Sequence, residues 1–405
     1  MTTGVSAPAK SDGWNVARLG DICDVKNGFG FPPKFQGRTD LPYPFFKVSD
    51  MNADGAEVTL TVAANTVDSG ILREIRGRTF APGTVVFPKV GGAVLTNKKR
   101  ILGVESTIDN NVMAVTPRDV DPAWLYYWFL TVDLVALSNT QALPSIRQST
   151  IEALEVPLPP LGEQRRIAGI LKEQMEAVER ARVAAEAQLE AAKALPAAFL
   201  RDVFNSNDVA KHDAVTLGDL CTVVRGSSPR PKGDPRYYGE GVPRLMVEDC
   251  TRDGMFVSAK VDSLTEEGAT HSRPMKAGDV VIVVSGNPGL PAILAHDCCI
   301  HDGFVGLRSL QSDRISNQYL YLFLQFVKAS TDAQATGAIF RNLTTDQIKA
   351  TNIVVPPLDV QERLCDELQQ RKADAELLLA RVTEQADLVT RIPAALLRHA
   401  FSGQL

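Results

Sequence analysis

No apolar run in the 405 residues approaches the roughly 18 that a membrane-spanning helix needs, so such a helix is not expected. The first residues, MTTGVSAPAKSDG, are small and polar and lack the apolar centre of a signal peptide, which makes a frayed tail the expectation. Six cysteines (Cys23, Cys221, Cys250, Cys298, Cys299, Cys365) are scattered without the spacing of a disulfide framework, and reduced thiols in a cytoplasm account for them most simply. A basic excess is also missing. The net charge of −5 argues against a generic nucleic-acid coat, but not against a reader whose cations are gathered on one face. No GxxxxGK[ST] phosphate loop occurs, and no Asp…Glu-x-Lys nuclease spacing stands in a convincing strand. The chain reads as non-catalytic. At 44% hydrophobic and 22% charged it has the composition of a globular protein, and its length implies two or more domains.

What the sequence does contain is a duplication. VPLPPLGEQRRIAGIL (Val156 to Leu171) returns as IVVPPLDVQERLCDEL (Ile353 to Leu368), about two hundred residues later. RLGDIC at Arg18 returns as TLGDLC at Thr216, and FAPGTVVFPKVGG at Phe80 as MKAGDVVIVVSGN at Met275. WLYYWFL at Trp124 is echoed by YLYLFLQ at Tyr319, and LPAAFLRDVF at Leu195 by IPAALLRHAF at Ile392. Five pairs in one order and one register exclude coincidence.

Each half opens with a mixed segment of β-rich runs (GTVVFPKV, DVVIVV), Gly, Pro and Asp punctuation, and one short aromatic helix. It closes with a stretch rich in Ala, Leu, Glu, Gln and Arg that reads as one long helix, from about Leu161 to Phe204 and from about Asp359 to Phe401. The Pro159-Pro160 and Pro356-Pro357 steps hold the chain extended until just before each helix. At about 1.5 Å per residue each helix would be on the order of 50–60 Å long. Ile167, Ala181 and Leu195 with Leu171, Val178, Ala185 and Ala192, and Leu364, Leu378 and Ile392 with Leu368, Ala375, Val382 and Val389, have coiled-coil spacing. An antiparallel intramolecular pair is the expectation, with each helix covering its own domain as the alternative.

These features together resemble the specificity subunit of type I restriction-modification systems. The resemblance covers essentially the whole chain and rests on the ordered set PLPPLGEQRRIAGIL and VPPLDVQERLCDEL, the helices, their LPAAFLRDVF and IPAALLRHAF endings and the LGD openings. It implies an α+β fold with two target-recognition domains on an antiparallel coiled coil and a pseudo-twofold internal repeat. The division would be a disordered tail over 1–13, a first target-recognition domain over 14–157 and a first spacer helix over 158–205. A second domain over 206–355 would follow, then a second helix and tail over 356–405. The resemblance further implies that the chain reads a bipartite, asymmetric double-stranded DNA sequence with a fixed gap, and docks modification (methyltransferase) subunits, two in number. Restriction and translocase subunits would join through them. S-adenosylmethionine, ATP and magnesium would be carried by the partners, and no cofactor by this chain. The second copy departs slightly, with Val-Gln-Glu-Arg where the first has Glu-Gln-Arg-Arg.

For DNA contact the first domain offers TNKKR: Lys98, Lys99 and Arg100, with Lys89 before them, for phosphates and Asn97 for a base edge. A solvated charged face would have the same sequence. The second domain offers Arg225, Arg230, Lys232 and Arg236 in a Gly/Pro loop beside Tyr237 and Tyr238. Arg147 and Arg341 sit at matching places in the two halves and suit phosphate anchoring or a guanine fork, or else tie down their own loops. Pro159, Pro160, Gln164 and Arg166, matched by Pro356, Pro357, Gln361 and Arg363, are expected to be framework or partner-docking residues. HDCCIH packs its ligand types too closely for a structural zinc site. SGNPGLP lacks the second proline and the aromatic of an adenine-methyltransferase signature, and NGFGFPP lacks the strand-turn-helix setting of a cofactor loop. A reading from another class, two protein-binding β-rich domains on a helical strut, is separated from the first by titration against genomic DNA.

Overall fold

The computed structural model describes residues 14–139, 143–333 and 344–405; the tail over 1–13, Thr140 to Ala142 and Arg341 lie outside the described residues. The chain divides into two compact units, Met1–Ala185 with Gln385–Leu405, and Glu186–Glu384.

In the first unit a five-stranded sheet runs in the order Cys23–Asn27, Val112–Pro117, Val85–Pro88, Arg100–Leu102, Thr59–Leu60, antiparallel except for the last pair. Its centre is the VVFP strand, in which every residue is buried, as expected of an apolar β-branched run with cover on both faces. A three-stranded sheet places Tyr43–Phe46 between Thr66–Val67 and a parallel Thr107–Ile108. Asn15–Arg18 pairs with Glu155–Leu158 and brings the start of the mixed segment back to its end.

The second unit repeats this plan with one strand more. Its five-stranded sheet runs Thr222–Arg225, Phe304–Arg308, Val280–Val283, Pro291–Leu294, Phe256–Val257, again with only the last pair parallel. Tyr238–Leu245 lies between Asp262–Leu264 and a parallel Cys298–Ile300, which also pairs with Arg273–Met275. Ala214–Thr216 pairs with Asn352–Val354. Cys298 and Cys299 are therefore buried strand residues, and burial pushes the Cys298 thiol up to about 12.

The aromatic segment of the first half forms the helix Pro122–Thr131 and then, after a break at Val132 and Asp133, the turn Leu134–Leu137; its counterpart is one helix, Asn317–Ala333. The long helices span Leu161–Phe204 and Leu358–Phe401, 44 residues each, or about 66 Å. Pro196 and Pro393 lie inside them at matching positions, and each removes one backbone donor from the helical ladder.

Each unit takes the start of one long helix and the end of the other. Ile167, Ala168 and Leu171 share a core with Trp124, Leu397, Ala400 and Phe401 in the first; Leu364, Cys365 and Leu368 share one with Tyr319, Leu200, Val203 and Phe204 in the second. The sense is antiparallel in both.

One of the two rows expected along each helix holds: Leu171, Ala185, Ala192, Leu368, Ala375 and Val382 are buried, with Val178 and Val389 half-buried. The other needs correcting. Ala181 is exposed, as are Leu378 (43%) and Ile392 (38%), whereas Met175, Leu189, Leu379 and Ala386 are half-buried. A heptad stripe anchored on Leu368 can be completed on either side. Leucine stands on both sides, at Leu378 and Leu379, so residue type alone did not choose between them; of the expected row Leu195 is half-buried, and Ile167 and Leu364 are buried in the domain cores rather than by the stripe.

Candidate nucleic-acid interface

The Pro-Pro junction is built around one fully buried glutamine in each half. Gln164 donates Nε2 to the carbonyl of Pro159 at 2.9 Å and accepts the Asp121 N–H on Oε1 at 2.8 Å. Gln361 donates to the carbonyls of Pro356 (2.7 Å) and Arg314 (2.8 Å) and accepts the Ser316 N–H at 2.9 Å. Asp121 and Ser316 in turn cap the aromatic helices, Asp121 through the Ala123 and Trp124 N–H groups and Ser316 through that of Tyr319. Pro159 and Pro356 are buried, whereas Pro160 and Pro357 are exposed and give their carbonyls to the first turn of each long helix. Gln164 and Gln361 therefore lock domain to helix and are not available to a partner.

Arg166 and Arg363 are exposed and repeat a second contact. Arg166 donates to the carbonyl of Leu405 at 2.8 Å, besides pairing with Glu163, and Arg363 pairs with Asp208 at 2.8 Å. Leu405 and Asp208 occupy matching places just past the ends of the long helices.

In the second domain the loop after Thr222–Arg225 carries Arg230, Lys232 and Arg236, all exposed, with Arg225 exposed at its base. Arg236 pairs with Asp234 and stands over the Tyr237 ring at 5.1 Å, and Tyr237 meets His271 edge-on. Beneath the loop lies a residue that sequence reasoning missed. Arg244, buried on its strand, reaches the Ser228 hydroxyl at 3.0 Å, pairs with Asp262 and lies over the Tyr238 ring. Ser228 also donates to Asp302, which keeps that carboxyl below its usual range. Burial, with Arg244 adding to it, pushes the nearby His301 imidazole down as well.

The basic run of the first domain is largely occupied by the fold. Lys99 is buried; its ammonium donates to the Val132 carbonyl at 2.6 Å and to Asn97 Oδ1 at 2.7 Å, and burial lowers it to about 8. Asn97 has a left-handed backbone (φ 53°), and its Oδ1 also takes the Leu134 N–H. Arg100 spends both terminal nitrogens on the carbonyls of Lys99 and Met51, Lys98 pairs with Asn52, and Lys89 donates to Asn27 at 2.9 Å. Arg147 is exposed, with no side-chain hydrogen bond among the described residues. The sequence signal was a run of like charge, and such a run does not distinguish free cations from cations used as internal donors.

A further matched pair was also missed. Asp50 and Asp249, both buried, accept the N–H of Lys47 and of Met246 at the head of a short helix, and then that of Ala64 and of Lys260 from the following segment. The legible trace was Val-x-Asp, VSD at Val48 and VED at Val247.

Comparison with known proteins agrees with this doubled plan. The family model described as type I restriction modification DNA specificity domain matches twice, over residues 11–190 and 211–383. A Methanocaldococcus jannaschii protein bearing the name of the type I restriction enzyme MjaX specificity subunit is 22% identical over 392 residues, covering 88% of this chain and 86% of its own. A chain from a structural study of complex assembly and conformational transition in a type I R-M system superposes with a TM-score of 0.72 at 20% identity, covering 98% of this chain and 99% of that one. The HsdS subunit from Thermoanaerobacter tengcongensis gives 0.64 at 20% identity over the full length of both chains. With the family's domain found in each half and the fold shared end to end, the chain belongs to the type I restriction-modification DNA specificity family.

Proposed function

We propose that the chain is the non-catalytic specificity subunit of a type I restriction-modification complex. It reads a bipartite, asymmetric DNA sequence with a fixed gap and docks two modification subunits, with restriction subunits joining through them. The observation that carries this reading is the repetition of one framework under two different loop surfaces. Gln164 and Gln361, Asp50 and Asp249, and the two 44-residue helices are matched in structure. The exposed loops differ at most of their positions, and a reader whose halves share a scaffold but differ in surface suits a target whose halves differ.

Phosphate and base contacts in the second domain fall to Arg225, Arg230, Lys232, Arg236 and Tyr237, and Arg147 serves as a phosphate anchor in the first. S-adenosylmethionine, ATP and magnesium belong to the partners in this reading, and the complex works in the cytoplasm. No helix among the described residues is long and apolar enough to cross a membrane, which fits that placement.

The deciding experiment is methylome sequencing of a host carrying the chain with its modification subunits. The expected result is one motif with two unlike halves and a constant gap. A contiguous motif, or no sequence preference, would reject the reading in favour of an adaptor that binds proteins.

A further inference from the structure

Resting on the DNA-reading function proposed above, we infer that the first domain reads its half-site with the loop Phe29 to Gln36 and the adjoining Lys47, and not with the basic run Asn97 to Arg100. The argument begins with equivalence. The second domain's cationic loop leaves its strand at Gly226, whose N–H donates to Phe304 while the next residue, Ser227, bonds to Ile300. In the first domain Gly28 donates to Val112 and Phe29 to Ile108, at the same two places in the same two sheets. Both glycines are required by contact. A Cβ would lie 2.0 Å from the Asp109 carbonyl at Gly28 and 1.9 Å from that of His301 at Gly226. The two loops are thus one structural element, and in this register GFGFPPKF lies against GSSPRPKG, which repeats Gly28, Pro33 and Lys34 as Gly226, Pro231 and Lys232.

The surfaces beneath them are equivalent in place and opposite in chemistry. Phe45 pairs across the parallel ladder with Thr107, and Arg244 holds the corresponding place opposite Cys299. Phe45 carries Phe31 of its loop in a parallel stack with ring centroids 3.9 Å apart, whereas Arg244 holds Ser228 of its loop by a hydrogen bond. The framework is kept and the loop with its support is exchanged, as two unlike half-sites require.

The first loop also carries the means to bind DNA. Lys47 lies over the Phe31 ring at 5.3 Å and Lys34 over the Phe35 ring at 4.7 Å, with Arg38 exposed just beyond. Phe31, Lys34 and Phe35 line an open groove of about 610 Å³. Cations set against aromatic faces suit phosphate contact beside a base edge or a thymine methyl. The rival run has no counterpart in the second domain, where the segment at the same place is SGNPGLP, without a cation.

The test uses the chain assembled with its modification subunits and methylome sequencing as the readout. Lys34 is exposed, Lys47 is half-exposed, and their partners, Glu74 and Gln36, lie on the surface, so a Lys34→Ala/Lys47→Ala variant should keep its melting midpoint. It should lower methylation by about tenfold or relax base preference in one half of the motif only. Arg230→Ala/Lys232→Ala should act on the other half. The inference is overturned if the first variant keeps both motif and rate, if both variants act on the same half, or if the effect moves to Lys98→Ala. Loss of a bipartite motif in the unaltered chain would instead reject the DNA reading itself.

Discussion

Gln361 accepts the Ser316 N–H at 2.9 Å while its own amide hydrogens go to the carbonyls of Pro356 and Arg314. One side chain thus joins the end of the second mixed domain, the cap of its aromatic helix and the start of a 44-residue helix. Gln164 makes the same join through Asp121 and Pro159.

Replacing either glutamine by leucine should leave two or three backbone groups, one of them in a buried contact and the others part-buried, without their side-chain partner. A cost of about 2–4 kcal/mol is expected for each variant, since each orphaned group costs about 1–3 kcal/mol less what local relaxation recovers. Urea unfolding of the whole chain measures it. A midpoint unchanged in Gln361→Leu would mean that the junction is held by its prolines alone.

Lys99 gives a pH dependence of known sign. Its folded value of about 8 lies below the ordinary lysine value because burial opposes the charge. Between pH 8 and about 10.4 the unfolded chain binds the proton better, so this residue's contribution to stability rises with pH across that window. Below pH 8 the penalty is present in full. Comparing the unaltered chain with Lys99→Met should show a slope in the former that is reduced in the latter, worth at most about 3 kcal/mol. Parallel curves would place the ammonium in water.

The corrected stripe on the second helix is open to test. Ala375 is 4% exposed and Leu378 43% exposed. Ala375→Phe should destabilise by about 1–3 kcal/mol through overpacking, and Leu378→Ala by less than about 0.5 kcal/mol. A Leu378→Ala cost as large as that of Ala375→Phe in thermal melts would restore the stripe first expected from the sequence.

If the helices measure the gap between half-sites, deleting four residues near Ala185, roughly one turn, should change the gap in the methylated motif or abolish modification. An unchanged gap in an active complex would sink the ruler.

Much of the architecture was legible in the sequence. The Pro-Pro steps placed Leu161 as the first residue of one helix and Asp359 within one residue of the start of the other, because proline acts locally and its effect can be read without neighbours. The doubling was legible wherever matched residues face a matched core, as at Trp124 and Tyr319. It was hidden where the fold preserves a position but not its chemistry. Phe45 and Arg244 share a place in the ladder and nothing else. The roles of Lys98, Lys99 and Arg100 were not legible for a different reason. Whether a cation is free depends on carbonyls brought to it from Met51 and Val132, which lie far away in sequence.

The core around Trp124 includes Phe401, whose ring centroid stands 5.8 Å away with the two planes at 60°, together with Leu397 and Ala400. These residues come from the far end of the chain. On a ribosome, the first of the two domains must therefore wait with an unfilled face until the last few turns of the second helix leave the exit tunnel. The domain made first is the last to be finished.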